Sequence, residues 1–202
     1  MLFTEQRWEF LAPPMPAVAL LKSLETAGRT CYKSEKKMTE NSAKEFVARI
    51  IRAGHHSVLE HVNIGVRIVT DRGVTHELVR HRLASYSQES TRFCNYGWQK
   101  MGVKFILPVD FQFADEDFVL LEAIEKHYNW CIQIGRTPQQ ARYFLPNGVK
   151  TEIVMTANLR EWRHIFTLRT SAAAHPQMRE LMLDMLHGFK RAIPVVFDDI
   201  ET

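Results

Sequence analysis

At 202 residues, with 46% hydrophobic and 24% charged positions, the chain has the composition of one globular domain able to bury a core without staples. A formal net charge of +3, from 26 basic and 23 acidic residues, is too mild to argue for nucleic-acid binding by itself. Three cysteines, Cys31, Cys94 and Cys131, are odd in number and far apart, which argues against a disulfide framework or zinc knuckle. The opening MLFTEQRWEF lacks a basic region followed by an apolar core, and no apolar run reaches the length of a membrane span. A cytoplasmic protein with reduced thiols and no membrane partner is expected.

In chain order, the first helical pattern runs from Ala17 to Ala27 with Leu20, Leu21 and Leu24 on one face, and Gly28 reads as its stop. A second helix begins near Thr39 or Asn41. Phe46, Val47, Ile50 and Ile51 form its stripe, and Gly54 stands where a C-terminal cap belongs. His61 to Thr70 alternates, with Val62, Ile64, Val66 and Ile68 on one face, as a half-buried strand does. Asp71-Arg72-Gly73 reads as a turn, and a short helix from Val74 to His81 follows.

Leu83 to Gly102 is polar and unpatterned and reads as an extended loop, a length that in a compact domain points to function or disorder. Val103 to Leu107 reads as a strand closed by Pro108, and Asp115 to Ile134 as a long helix. Thr137-Pro138 gives a cap followed by proline at the first helical position. Pro146-Asn147-Gly148 is a turn; Val149 to Ala157 alternates as a second main strand; Asn158 caps a helix running to Arg169; and Pro176 opens the last long helix, ending near Gly188 or Arg191. This order predicts an α+β fold with a small, largely antiparallel central sheet packed with several helices, in one domain spanning 1–202.

The densest chemistry lies in Arg80-His81-Arg82 through Ser85 and Gln88 to Ser90-Thr91-Arg92. Guanidinium forks framing hydroxyls and amides are the mixture that phosphate recognition needs. A solvated basic face explains any single one of these arginines; four cations around a hydroxyl-rich loop favour an anion site. The string Gly54-His55-His56-Ser57 with Glu60-His61 invites a metal reading. Its spacing is one residue too long for the inverted zinc-protease helix, so hydrogen bonds from His55 or His61 to Glu60 are expected instead. On the helix after Asn158, Leu159, Trp162, Ile165 and Phe166 form the core face. Arg160 and His164 lie off that face, and Arg169 ends the helix before the small residues Ser171 to Ala174. By pattern alone Arg142 is an isolated arginine. None of the nine glycines falls in a dinucleotide or P-loop string.

The spacing Arg80-His81-Arg82, seven residues, Ser90, one residue, Arg92 resembles the signature of the flavin-dependent thymidylate synthases. Gly54-His55-His56-Ser57, Gln140-Ala141-Arg142, Leu145-Pro146, Asn158-Leu159-Arg160 and Leu168-Arg169 are similar to other segments of that family. The chain departs from it at Ser87, often Asn, at Gln88, often Glu, and at His164, where Asn can occur. The resemblance implies a methyltransferase that converts dUMP to dTMP with FAD as cofactor and with methylene-tetrahydrofolate and NADPH as co-substrates. It implies a homotetramer with shared active sites. It also implies flavin contacts from His55, Ser57, Arg80, His81, Arg82, Asn158, Arg160 and His164. Nucleotide contacts are implied for Glu77, Arg80, Gln88, Ser90, Thr91, Arg92, Arg142 and Arg169. Within that framework Arg169 polarises the pyrimidine with Arg92 assisting, Arg82 and the backbone near Ser90 and Thr91 hold phosphate, and no metal is expected. Two rival readings stand beside it: a metal-dependent nucleotide hydrolase built on the histidine cluster, and a non-enzymatic nucleotide- or RNA-binding module using Tyr86, Phe93, Tyr96 and Trp98.

Overall fold

The computed structural model describes residues 2–12, 14–110 and 112–202. Its elements are β1 (Leu2–Thr4), β2 (Arg7–Phe10), α1 (Ala17–Thr30), α2 (Ser42–Arg52), β3 (Asn63–Asp71), α3 (Arg72–Leu78), β4 (Ala84–Gln88), β5 (Lys104–Ile106), α4 (Asp115–Gln133), α5 (Pro138–Ala141), β6 (Lys150–Asn158), α6 (Leu159–Arg169), α7 (Pro176–Ala192) and α8 (Pro194–Phe197). Three short 3-10 turns punctuate them at Glu35–Lys37, His56–His61 and Arg142–Phe144. The expected α+β fold with an antiparallel sheet is what forms. The sheet has four strands in the order β2-β3-β6-β4. A second, two-stranded sheet pairs β1 with β5 in parallel, Phe3 opposite Phe105.

The chain divides into two compact units. One comprises residues 9–66, 81–85 and 155–202. Its core is aromatic: Trp162, Phe166, Phe189 and Phe197 are fully buried, and their ring centroids lie 5.0 to 5.8 Å apart. Trp162 keeps its polar edge satisfied by donating Nε1–H to the Ile64 carbonyl at 3.0 Å. Along α1 the expected stop at Gly28 does not occur, and the helix runs on to Thr30. Gly28 is there because α2 crosses closely; a Cβ at this position would fall 2.7 Å from Phe46 Cζ. Glu25, one turn before Arg29, accepts from its Nε at 2.7 Å and from the Ser42 hydroxyl at 2.9 Å, so this buried carboxylate ties α1 to the start of α2.

The other unit comprises residues 1–8, 67–80 and 86–154. Tyr96, Val103, Phe105, Tyr128, Cys131, Ala141 and Val149 make its core. Asp71-Arg72-Gly73, read from the sequence as a turn, is a strand end running directly into a helix. Asp71 is the last residue of β3, and its Oδ1 accepts from Val74 N at 2.7 Å as the N-cap of α3. The helix therefore begins at Arg72 and ends at Leu78, leaving Arg80 and His81 beyond it. The expected loop from Leu83 to Gly102 contains β4 at one edge of the four-stranded sheet. Its residues do alternate in exposure, but through serines, a tyrosine and a glutamine, which carry little hydrophobic signal. The two main strands form as read: Ile64, Val66 and Ile68 of β3 and Thr151, Ile153, Met155 and Ala157 of β6 are buried.

Candidate functional site

Within the unit of residues 67–80 and 86–154, the Ser90–Phe93 segment closes a helical turn. Phe93 N and Cys94 N both donate to the Ser90 carbonyl, at 3.1 and 2.8 Å, and the Ser90 hydroxyl accepts from Arg92 N at 3.3 Å. The segment from α5 to Phe144 faces this turn. Gln139 Oε1 accepts from Arg92 Nε at 2.7 Å, and Arg142 Nη1 donates to the Thr91 hydroxyl at 3.3 Å. The Arg92 guanidinium also lies over the Phe93 ring, 5.0 Å from its centroid. Arg142, isolated by pattern, is therefore brought to Thr91. Arg92 and Arg142 are exposed, whereas Thr91 is buried. Glu77 lies in the last turn of α3, and Arg80, in the turn that follows the helix, donates its N–H to the Glu77 carbonyl at 3.1 Å.

Gln88 explains its own departure from the family pattern. Its Nε2 donates to Thr75 Oγ1 at 2.9 Å and to Thr151 Oγ1 at 3.3 Å. The Thr75 hydroxyl already donates to the Arg72 carbonyl at 3.0 Å, so it needs a donor partner, which a carboxylate could not supply.

In the other unit, the histidine string starts from a helix end. Gly54 has φ +74°, and Gly54 N and His55 N return to the Ile51 and Ile50 carbonyls at 2.9 Å, the paired bonds of a left-handed helix termination. His55 and Ser57, exposed beyond it, line a cleft of about 720 Å³ together with Arg29, Tyr32, Lys37 and Arg49. The expected pairing of Glu60 with a neighbouring histidine is not what forms. Glu60 accepts from Arg160 Nη1 at 2.6 Å, an exposed ion pair spanning a hundred positions of sequence. Arginine's fixed fork and permanent charge make it a better partner for a carboxylate than an imidazole.

Asn158 caps α6 as read, its side-chain oxygen accepting from Glu161 N at 2.8 Å. That helix presents Glu161, His164 and Arg169 to His81. Arg169 Nε donates to His81 Nε2 at 3.0 Å, His81 Nδ1 lies 3.7 Å from Glu161 Oε1, and the His164 ring stands edge-on at 5.9 Å. Burial pushes the His81 imidazolium down to about pKa 4, aided by the charges of Arg169 and His164. His81 is thus neutral near pH 7. Because its Nε2 accepts from Arg169, its proton sits on Nδ1, toward Glu161. Arg82, on the same chain segment, is exposed.

Sequence reasoning missed Glu161 and Gln139. Helical spacing could have found Glu161, three residues before His164 and eight before Arg169. Nothing local marks Gln139, whose partner lies 47 residues away.

The α+β sheet protein carries two arginine-centred polar clusters, one around a hydroxyl-rich turn and one around a neutral imidazole, a chemistry of the kind that anionic ligands use. The family model described as thymidylate synthase complementing protein matches residues 19–195. A flavin-dependent thymidylate synthase of Corynebacterium glutamicum is 34% identical over 196 residues, covering 88% of this chain and 78% of the relative. Those of Geobacter sulfurreducens and Mycobacterium tuberculosis are 33% and 34% identical, covering 92% and 96% of this chain and 82% and 86% of the relatives. The chain belongs to this family, the flavin-dependent thymidylate synthases. A solved structure, the UMP/dUMP methylase PolB of Streptomyces cacaoi bound with 5-Br dUMP, superposes with a TM-score of 0.79 over 98% of this chain and 96% of that one. At 19% identity it corroborates the fold.

Proposed function

We propose that the protein methylates dUMP to dTMP as a flavin-dependent thymidylate synthase, with residues 1–202 acting as one catalytic domain. The observation that carries this reading is the pairing of a neutral, buried His81 with Arg169 on the family's own motif positions. The flavin is FAD, with methylene-tetrahydrofolate giving the carbon and NADPH the reducing equivalents. The cleft holding His55 and Ser57 suits such a group in its chemistry: cations Lys37 and Arg49 for a diphosphate, a hydroxyl, and the exposed aromatic ring of Tyr32. Arg80, His81, Arg82, Asn158, Arg160 and His164 complete the flavin contacts. Bound flavin supplies hydride transfer; the chain supplies position and field.

The nucleotide contacts are Glu77, Arg80, Gln88, Ser90, Thr91, Arg92, Arg142 and Arg169, with Arg82 and the backbone at Ser90 and Thr91 holding phosphate. Arg169 is assigned to the pyrimidine edge, with Arg92 assisting. Its charge acts beside an imidazole that is neutral, and low local polarity strengthens its pull on developing negative charge. The hydrogen bond to His81 sets the plane of its guanidinium.

A homotetramer belongs to the same proposal, supported by the exposed apolar run Phe118, Val119 and Leu120 on α4, a surface of the kind that subunit contacts cover. So does a cytoplasmic location, supported by three free cysteines. Among the described residues no helix is long and apolar enough to cross a membrane.

Purified protein should be yellow and should form dTMP from dUMP, methylene-tetrahydrofolate and NADPH. Colourless protein that takes up no added FAD and forms no dTMP would overturn the reading. Light scattering should give four chains per particle.

A further inference from the structure

Next to the Ser90–Arg92 turn lies a charged group that none of the assigned contacts uses. Glu89 is nine-tenths buried, its side chain 10% exposed, and both carboxylate oxygens are taken: Oε1 accepts from the Tyr96 hydroxyl at 2.7 Å and Oε2 from Lys150 Nζ at 3.1 Å. Lys150, 12% exposed, also donates to Glu152 Oε1 at 2.5 Å. The Glu89 backbone amide donates to the Glu152 carbonyl at 2.8 Å, so residue 89 is fixed to β6 through main chain and side chain alike. Tyr96 is anchored in its turn: its amide donates to the Tyr128 hydroxyl at 3.1 Å, and its ring is buried in the core. The residue immediately before Ser90 is therefore clamped from β6 on one side and from the core beneath α4 on the other.

A carboxylate at this depth is costly unless both its oxygens are hydrogen-bonded and its charge is matched. Here both conditions are met by residues 7 and 61 positions away in sequence. The hydrophobic core of this unit includes Tyr96 and Val149, and the polar clamp adds one thing that apolar packing does not: it fixes direction. Residues 90–92 can hold an anion with amides and hydroxyls only if the turn keeps one orientation, because hydrogen bonds to phosphate weaken steeply with angle.

We propose that Glu89, clamped by Lys150 and Tyr96, is a positioning residue that holds the Ser90–Arg92 turn in its anion-binding orientation. This rests on the reading of that turn as the cradle of the dUMP phosphate. Glu89 touches no substrate in this scheme; it acts through Ser90 and Thr91.

The test uses the flavin-loaded enzyme and two variants that attack the clamp from opposite sides. Tyr96→Phe removes one hydroxyl. Glu89→Gln keeps the shape but turns a donor toward Lys150. In both, the KM for dUMP should rise about tenfold, the loss expected when one charge-assisted hydrogen bond is removed. Turnover at saturating dUMP and flavin content should stay within about twofold. Hydrogen exchange without substrate should show the Phe93 and Cys94 amides, both bonded to the Ser90 carbonyl, exchanging about tenfold faster. Unchanged exchange at these amides would overturn the clamp whatever the substrate is. Faster exchange with an unchanged KM would overturn its positioning role and leave a purely structural one. Failure of the parent protein to bind dUMP or form dTMP is separate: it removes the nucleotide reading, while the exchange arm still decides the clamp.

Discussion

In the unit that carries Arg169, the polar cluster lies beside a fully buried aromatic core, with His81 and Glu161 only 5% and 6% exposed. In the unit that carries Arg92 and Arg142, both residues are exposed, and their guanidiniums donate to neutral side chains, Gln139 and Thr91 respectively. The same residue type thus works under two different conditions. An exposed arginine has its charge screened by water and recognises an anion mainly through geometry. A partly buried arginine beside a neutral imidazole keeps its field, and that field is useful where charge develops during reaction. Among residues of one kind, burial separates those suited to holding a substrate from those suited to changing it.

The comparison can be broken at several points. The largest effect is expected at Trp162, which seats α6 and therefore the placement of Glu161, His164 and Arg169. Trp162→Ala should lower unfolding stability by about 3–5 kcal/mol, through the cavity and the stranded Ile64 carbonyl, as measured by urea denaturation. A loss below about 1 kcal/mol would mean that α6 is held in some other way. Gln88→Glu, in the other unit, should cost about 1–3 kcal/mol, because it removes the donor that Thr75 and Thr151 share. Unaltered stability would show that those hydroxyls find other partners.

His81 gives a pH signature. Its folded value, about 4, lies below the ordinary value of 6.5. As pH falls below about 6.5 the unfolded chain takes up a proton that the folded one refuses. The contribution of this group to stability is therefore complete above that pH and is lost progressively down to about pH 4. A stability profile of the parent protein should slope downward across this window, and His81→Gln should flatten it. Identical slopes would show that His81 is charged or exposed. The smallest stability effect is expected at Arg160, whose pair with Glu60 is exposed. Arg160→Ala should change stability by less than about 1 kcal/mol while weakening FAD binding. A stability loss with flavin affinity intact would make Arg160 a strut.

Much of this was readable in the chain. The alternation in β3 and β6, the Asn158 cap and the apolar face of α6 follow from local periodicity, and local periodicity is what fixed them. Failures came where a distant partner outranked a local rule. Gly28 looks like a helix stop, yet it is an interior residue shaped by Phe46, eighteen positions on. Asp71-Arg72-Gly73 has the letters of a turn, and the strand it follows turns Asp71 into a cap. β4 escaped because its edge position lets serines and a glutamine fill a strand. At the site, the arginine motif marked the residues themselves, but their roles as neighbours depend on pairings such as Arg142 with Thr91 or Arg160 with Glu60, 51 and 100 residues apart. No short-range pattern records those.

The most direct test compares the two kinds of arginine in one assay. Steady-state dTMP formation would be measured with dUMP varied, for Arg169→Ala, Arg169→Lys and Arg142→Ala, with flavin content read from absorbance. Arg169→Ala should lose about two to three orders of magnitude in kcat while keeping its flavin. Arg169→Lys should not restore it, since lysine lacks the planar fork. Arg142→Ala should raise the KM for dUMP and leave kcat near the parent value. An Arg169→Ala enzyme that retains flavin and turns over at the parent rate would contradict the account.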